Sequence, residues 1–202
     1  GMHVLKGKNA AIFAPHPTSK KSSAYTVKLM REAIEKLGAP ADLVQVIEEP
    51  SIEMTQLLMS AVDVVVATGG PGMVKAAYSS GRPSYGVGQG NVQLLVDEDY
   101  PDYAAIAAST VFSRSYDNGL PCTCDQTMFV PQSRFQEMVD LLVKNKAVYI
   151  DDPAILEKLR QAAFTQDGAI NRKFVGATMP QIAEMLGVTF PADATILVVP
   201  VH

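Results

Sequence analysis

The sequence predicts an α/β protein built on parallel strands, and three observations carry that reading. Short apolar runs of strand type alternate with segments whose apolar residues recur at three- and four-residue steps, the pattern of strand–helix–strand units joined by crossovers. The run at 62–67 (VDVVVA) is apolar at nearly every position, as a parallel strand covered on both faces is. Glycine, proline and serine punctuate the joints between these segments. Residues 1–90 therefore read as part of a doubly wound, Rossmann-like parallel sheet, and residues 91–202 as a further α/β domain. No repeat or low-complexity linker separates them.

Taken in order, residues 9–14 form a first strand, stopped by Pro15-His16-Pro17. Thr18 or Ser19 caps a helix running to about Leu37, with Ala24, Val27, Ile34 and Leu37 on one face. Gly38-Ala39-Pro40 ends it, glycine before proline. Residues 43–47 are a strand, and Ser51 caps the next helix. The 62–67 strand leads into Thr68-Gly69-Gly70-Pro71-Gly72-Met73-Val74 and a helix to about Tyr78, then a strand at 85–87. Gly86-Val87-Gly88-Gln89-Gly90-Asn91 reads as a loop or bulged edge. Beyond it come strands at 94–96, 127–130, 147–150 and 195–201 and helices at 102–114, 133–145, 153–164 and 179–186, with Gly187 a stop and 166–173 irregular.

Bulk properties bound the function. The chain has 202 residues and a net charge of −4 with no basic stripe, which argues against nucleic-acid binding. Its apolar runs fall far short of the ~20 residues that span a bilayer, so no membrane association is expected. Two cysteines one residue apart make no disulfide framework, which points to a reducing, cytoplasmic setting. Gly1 before Met2 reads as a residue left by tag removal.

Two segments carry candidate chemistry. The glycine-rich turn at 68–74 lies where a strand gives way to a helix, the edge at which open parallel sheets bind ligands and where backbone N–H groups favour phosphate. Lys75 stands at the third glycine of a G-x-G-x-x-G motif, and no Walker sequence follows. A ligand turn and a purely structural turn both stay open on these residues. The second segment is Asp117-Asn118-Gly119-Leu120-Pro121-Cys122-Thr123-Cys124. Asp-Asn-Gly supplies positive-φ backbone, and Pro121 stiffens the approach to Cys122. Cys122 reads as a nucleophile, with Arg114 the nearest cation in sequence to favour its thiolate; an inert structural thiol is the alternative. His3, His16 and His202 are scattered, so no metal site is expected.

The block from Thr68 to Gly81, then Gly86-Val87-Gly88-Gln89-Gly90-Asn91, then Asp117-Asn118-Gly119-Leu120-Pro121-Cys122 closely resembles the coenzyme-A-acylating aldehyde dehydrogenases, including the aldehyde dehydrogenase half of the bifunctional alcohol/aldehyde enzymes. Pro15-His16-Pro17 and Glu49-Pro50-Ser51-Ile52-Glu53 look like further family segments. The resemblance implies that 1–90 is part of a dinucleotide-binding domain and 91–202 part of a catalytic cysteine domain. It implies oxidation of a short aldehyde with NAD and coenzyme A to acyl-CoA and NADH through a thioester on Cys122. Thr68, Gly69, Gly70, Pro71, Gly72 and Gly88 are the implied NAD contacts, and Cys124 is non-catalytic. Gly86 falls where hydrolytic relatives keep a water-activating glutamate, which favours acyl transfer. A small aldehyde is the implied partner, a homo-oligomer the expected assembly, and the cytoplasm the expected location, with a microcompartment as its variant. Relatives extend beyond this chain at both ends, so it is expected to be truncated there; Pro200 stands where they carry a glutamate, and Pro121 is not their usual residue. The competing expectation is a catalytically incomplete α/β fragment that binds nucleotide or a partner subunit without turnover.

Overall fold

Strands and helices alternate along most of the chain, and every strand among the described residues pairs in parallel. The structure, a computed structural model, describes residues 1–201. The chain divides into two units, Gly1–Gln89 and Gly90–His202.

The first unit contains α1 (Met2–Lys6), β1 (Ala11–Phe13), α2 (Lys20–Glu35), β2 (Val44–Val46), α3 (Ile52–Ala61), β3 (Val65–Thr68), α4 (Pro71–Tyr78) and β4 (Ser84–Val87). β1 pairs with β2 and β3 with β4. Helix α1, five residues long, is too short to show a helical period in sequence. Ser51 caps α3 as expected, its Oγ accepting from the Met54 N–H at 3.1 Å. The start of α2 is different. Pro17 opens a 3-10 turn over Pro17–Ser19, and the His16 ring nitrogen accepts from the Thr18 N–H at 3.3 Å. Ser19 takes the N-cap position of α2 without a side-chain cap bond.

Met59, Val65, Ala67 and Ala77 make the core beneath β3 and β4. The expectation that the 62–67 strand is covered on both faces is corrected here. Burial alternates along β3: Val65 and Ala67 are buried, while Val66 is 71% exposed. Tyr85, its register partner on β4, is 68% exposed. A continuous apolar run marks a strand able to be covered twice; within this unit only one face is.

The second unit contains β5 (Val92–Leu95), α5 (Tyr103–Ser115), β6 (Asp125–Phe129), α6 (Phe135–Lys144), β7 (Ala147–Tyr149), α7 (Pro153–Ala163), α8 (Met179–Leu186) and β8 (Ile196–Val198). β5 pairs with β6, with a register shift at Val92/Gln93, and β7 pairs with β8. Asp102 caps α5, its Oδ1 accepting from the Ala105 N–H at 2.9 Å. Gly187, in the left-handed region at φ +64°, ends α8. Tyr103, Ala107 and Val111 of α5 meet Met138 and Leu142 of α6 over Ala147 and Ile196. Met138 is 1% exposed; burying a side chain of this size stabilises by about 1.5–3 kcal/mol. Each unit thus carries its parallel pairing as two two-stranded ladders rather than one continuous sheet.

Candidate active site

Cys122 is held by a sequence of fixed turns. After α5 the chain forms a 3-10 turn, Tyr116–Gly119, in which Asp117, Asn118 and Gly119 take φ of 47°, 51° and 71°. Asp and Asn tolerate this region better than other side chains, so the composition of the turn explains its shape. The Leu120 N–H donates to the Asp117 carbonyl at 3.1 Å. Arg114 Nη1 donates to the Gly119 carbonyl at 3.3 Å. The guanidinium therefore fastens the positive-φ turn that leads to Cys122. A second reverse turn follows, the Cys124 N–H donating to the Pro121 carbonyl at 3.1 Å, with Cys122 and Thr123 at its corners.

This arrangement separates the two cysteines. Both are free thiols; Cys122 is exposed, and Cys124 is 4% exposed. The Asp125 N–H donates to Ser113 Oγ at 3.1 Å and pins the start of β6 to α5. Gly90, just before β5, lies against the cysteine turn: a Cβ there would stand 3.3 Å from the Cys122 carbonyl oxygen. Asn91 Oδ1 accepts from the Thr127 hydroxyl at 3.2 Å. Cys122 thus sits where the chain enters two paired strands, on backbone tied from several sides, with its thiol open to solvent. Such a thiol can act as a nucleophile; the buried one cannot reach a substrate. Among the described residues no group of three or more His, Cys, Asp and Glu is placed to hold a metal ion.

The glycine turn belongs to the first unit. β3 ends at Thr68, and the Gly69 N–H donates to the Val87 carbonyl at 3.0 Å. Gly70 is the N-cap of α4 and Pro71 its first residue, where the missing proline N–H costs nothing. Thr68, Gly69, Gly70, Pro71 and Gly72 therefore form one turn, and Gly88 follows directly on the strand residue that holds it. A Cβ at Gly70, Gly72 or Gly88 would meet open space. Pro71 has no N–H and the Met73 N–H donates to the Gly70 carbonyl at 3.0 Å, which leaves the Gly72 N–H at the positive end of the helix dipole. A turn of this kind at a helix N-terminus can take an anionic group on its backbone N–H groups.

Two features escaped sequence reasoning. One is a cleft of about 400 Å³ in the second unit, lined by Leu156, Leu159, Phe164, Phe174, Arg114 and Arg160 among others; Cys122 does not line it. Its only trace in the sequence is the apolar face of the 153–164 helix. The other is the packing of α4 on Gly86, where a Cβ would lie 2.8 Å from both Tyr78 and Val74 side-chain atoms.

The chain is thus parallel α/β, with a glycine-rich turn where β3 ends and one exposed cysteine on a tied loop. The aldehyde dehydrogenase family matches residues 3–171, and the chain belongs to that family. It is homologous to the coenzyme-A-acylating members. It is 45% identical over 197 residues to a succinate-semialdehyde dehydrogenase (acetylating) of Clostridium kluyveri, covering 98% of this chain and 43% of that protein. The crystal structure of Rhodopseudomonas palustris propionaldehyde dehydrogenase with bound propionyl-CoA matches with a TM-score of 0.87 at 35% identity, over 96% of this chain and 43% of that one. An engineered glycolyl-CoA reductase with bound NADP+ matches with a TM-score of 0.86 at 33% identity, over 96% and 44%. The fold is thus aldehyde dehydrogenase-like, and the chain spans a little over two-fifths of the length of these relatives.

Proposed function

We propose that this chain takes part in the NAD-dependent, coenzyme-A-acylating oxidation of a short aldehyde, with Cys122 as covalent nucleophile. The observation that carries the reading is the contrast between an exposed Cys122 on tied backbone and a buried Cys124 two residues on. The Cys122 thiolate adds to the aldehyde carbonyl carbon and forms a thiohemiacetal. A bound nicotinamide cofactor would supply the hydride acceptor, and Cys122 Sγ would then hold the acyl group as a thioester. The thiolate of coenzyme A then attacks the acyl carbon, and acyl-CoA leaves as the Cys122 thiolate is regenerated. By the family resemblance, Gly86 stands where hydrolytic relatives keep a water-activating glutamate, which favours acyl transfer to coenzyme A.

Thr68, Gly69, Gly70, Pro71, Gly72 and Gly88 are proposed as the backbone contacts to the cofactor, making residues 1–90 part of the dinucleotide-binding domain and 91–202 part of the catalytic domain. NAD is the proposed cofactor, although one structural relative holds NADP+. No helix among the described residues is long and apolar enough to cross a membrane; a cytoplasmic or microcompartment location and a homo-oligomer are part of the proposal. The exposed Val66 and Tyr85 favour association.

The test is NADH formation from acetaldehyde, coenzyme A and NAD+ by the wild-type chain and by Cys122→Ala. Activity in the first and none in the second supports the reading. Binding of NADH with no turnover in either would favour a nucleotide-binding fragment instead.

A further inference from the structure

Helix α4 crosses β4 at Gly86 with no room for a side chain. A Cβ at position 86 would lie 2.8 Å from Tyr78 Cε2 and 2.8 Å from Val74 Cγ1. Real Cβ contacts are essentially never made at that distance, so both side chains would have to shift. Val74 and Tyr78 are four residues apart and so share one face of the helix. The Tyr78 hydroxyl adds a polar link. It accepts from the Gly86 N–H at 3.2 Å and donates to the Gly86 carbonyl at 3.5 Å.

The ladder explains why that hydroxyl is needed. β3 draws on the carbonyls of Pro83 and Val87, which accept from the Val65 and Gly69 N–H groups. Backbone groups of successive strand residues point to opposite edges, so the Gly86 N–H and carbonyl face away from β3, along the free edge of a two-stranded sheet. Unpaired edge groups are a liability in a sheet, and Tyr78 satisfies both at once. Helix α4 is thereby tied to β4 at both ends. Its leading turn is held through Gly69 to Val87, and its last residue, Tyr78, to Gly86.

We propose that Tyr78 is a positioning residue: with Val74 it closes position 86 to any side chain, a carboxylate included, and through its hydroxyl it holds α4 so that the turn at 68–72 keeps its geometry. In its link to cofactor binding the inference rests on the function proposed above. Its packing and hydrogen-bonding content does not.

The experiment uses the whole chain in two arms. The first is a melting cycle with Gly86→Ala placed in the wild type and in the Val74→Ala/Tyr78→Ala background. Overpacking at Gly86 is expected to lower Tm by about 5 °C in the wild type and by less than half as much where the two side chains are truncated. Equal losses in the two backgrounds overturn the closure. The second arm is Tyr78→Phe, which keeps the ring and removes the hydroxyl. Amide hydrogen exchange at Gly86 and Gly69 is expected to speed up at least threefold, and the Kd for NADH to rise about three- to tenfold, as loss of one hydrogen bond of ~1 kcal/mol allows. Unchanged exchange at both amides overturns the positioning role. Faster exchange with an unchanged Kd supports the link to β4 and overturns its effect on the cofactor turn. If the wild type binds neither NADH nor NADPH, the cofactor reading itself fails, and the melting cycle and the exchange data still decide the role of Tyr78.

Discussion

Gly90 lies directly against Cys122: a Cβ on Gly90 would stand 3.3 Å from the Cys122 carbonyl oxygen and 3.8 Å from its Cβ. Glycine is required here for close approach and not for an unusual φ. The strand-entry segment before β5 serves as a backstop for the turn that carries the thiol. Gly90→Val is expected to push that turn outward and slow alkylation of Cys122 by iodoacetamide at least threefold, with Tm lowered by only a few degrees because both segments are exposed. Alkylation at the wild-type rate in this variant would show that the contact does not fix the thiol.

The two cysteines should separate cleanly. Cys122→Ala is expected to abolish acyl-enzyme formation and leave stability within about 0.5 kcal/mol, as surface changes do. Cys124→Ser is expected to leave acylation in place while lowering stability by about 1–3 kcal/mol, because a hydroxyl replaces a buried thiol. Chemical denaturation of both variants, alongside mass analysis of the acylated peptide, checks the pair.

Thr110 on α5 is buried and its Oγ1 has no hydrogen-bond partner among the described residues. A buried unpaired hydroxyl is destabilising, and a methyl of the same shape removes the cost. Thr110→Val is expected to raise Tm by a few degrees. A fall in Tm would mean that the hydroxyl is satisfied in solution.

Glu157 accepts from Arg160 at 2.6 and 2.8 Å and from Gln161 at 2.7 Å. These bonds to the charged form, led by Arg160, lower its pKa from 4.5 to about 2. A folded pKa below the unfolded one means that the contribution is present above pH 4.5 and is lost as pH falls towards 2. The pair is solvent-exposed, so the effect is small. Glu157→Gln is expected to flatten the fall of Tm between those pH values, and an unchanged slope would contradict the linkage.

Much of the fold was legible because its signals are local. Ser51 three residues before a backbone N–H, Asp117-Asn118-Gly119 in positive φ and Gly187 after a periodic helix each act within one turn of chain. The apolar alternation also gave the order of strands and helices. What was not legible depends on residues distant in sequence or on side-chain placement. Nothing in VDVVVA says which of its faces will be covered, and Val66 is exposed. Arg114 is the cation nearest Cys122 in sequence, but its hydrogen bond to the Gly119 carbonyl depends on the positive-φ turn and is not visible in the residues alone. For the site, Cys122 and the glycine turn stood out by composition. The tie from Gly69 to Val87 and the crossing of Tyr78 over Gly86 came only with the packed strands.

The most direct measurement is peptide-resolved mass spectrometry after brief exposure of the chain to acetaldehyde and NAD+, before and after addition of coenzyme A. The account predicts an acetyl group on Cys122 and none on Cys124, removed by coenzyme A with formation of acetyl-CoA. No adduct on Cys122, or equal acylation of both cysteines, would contradict it.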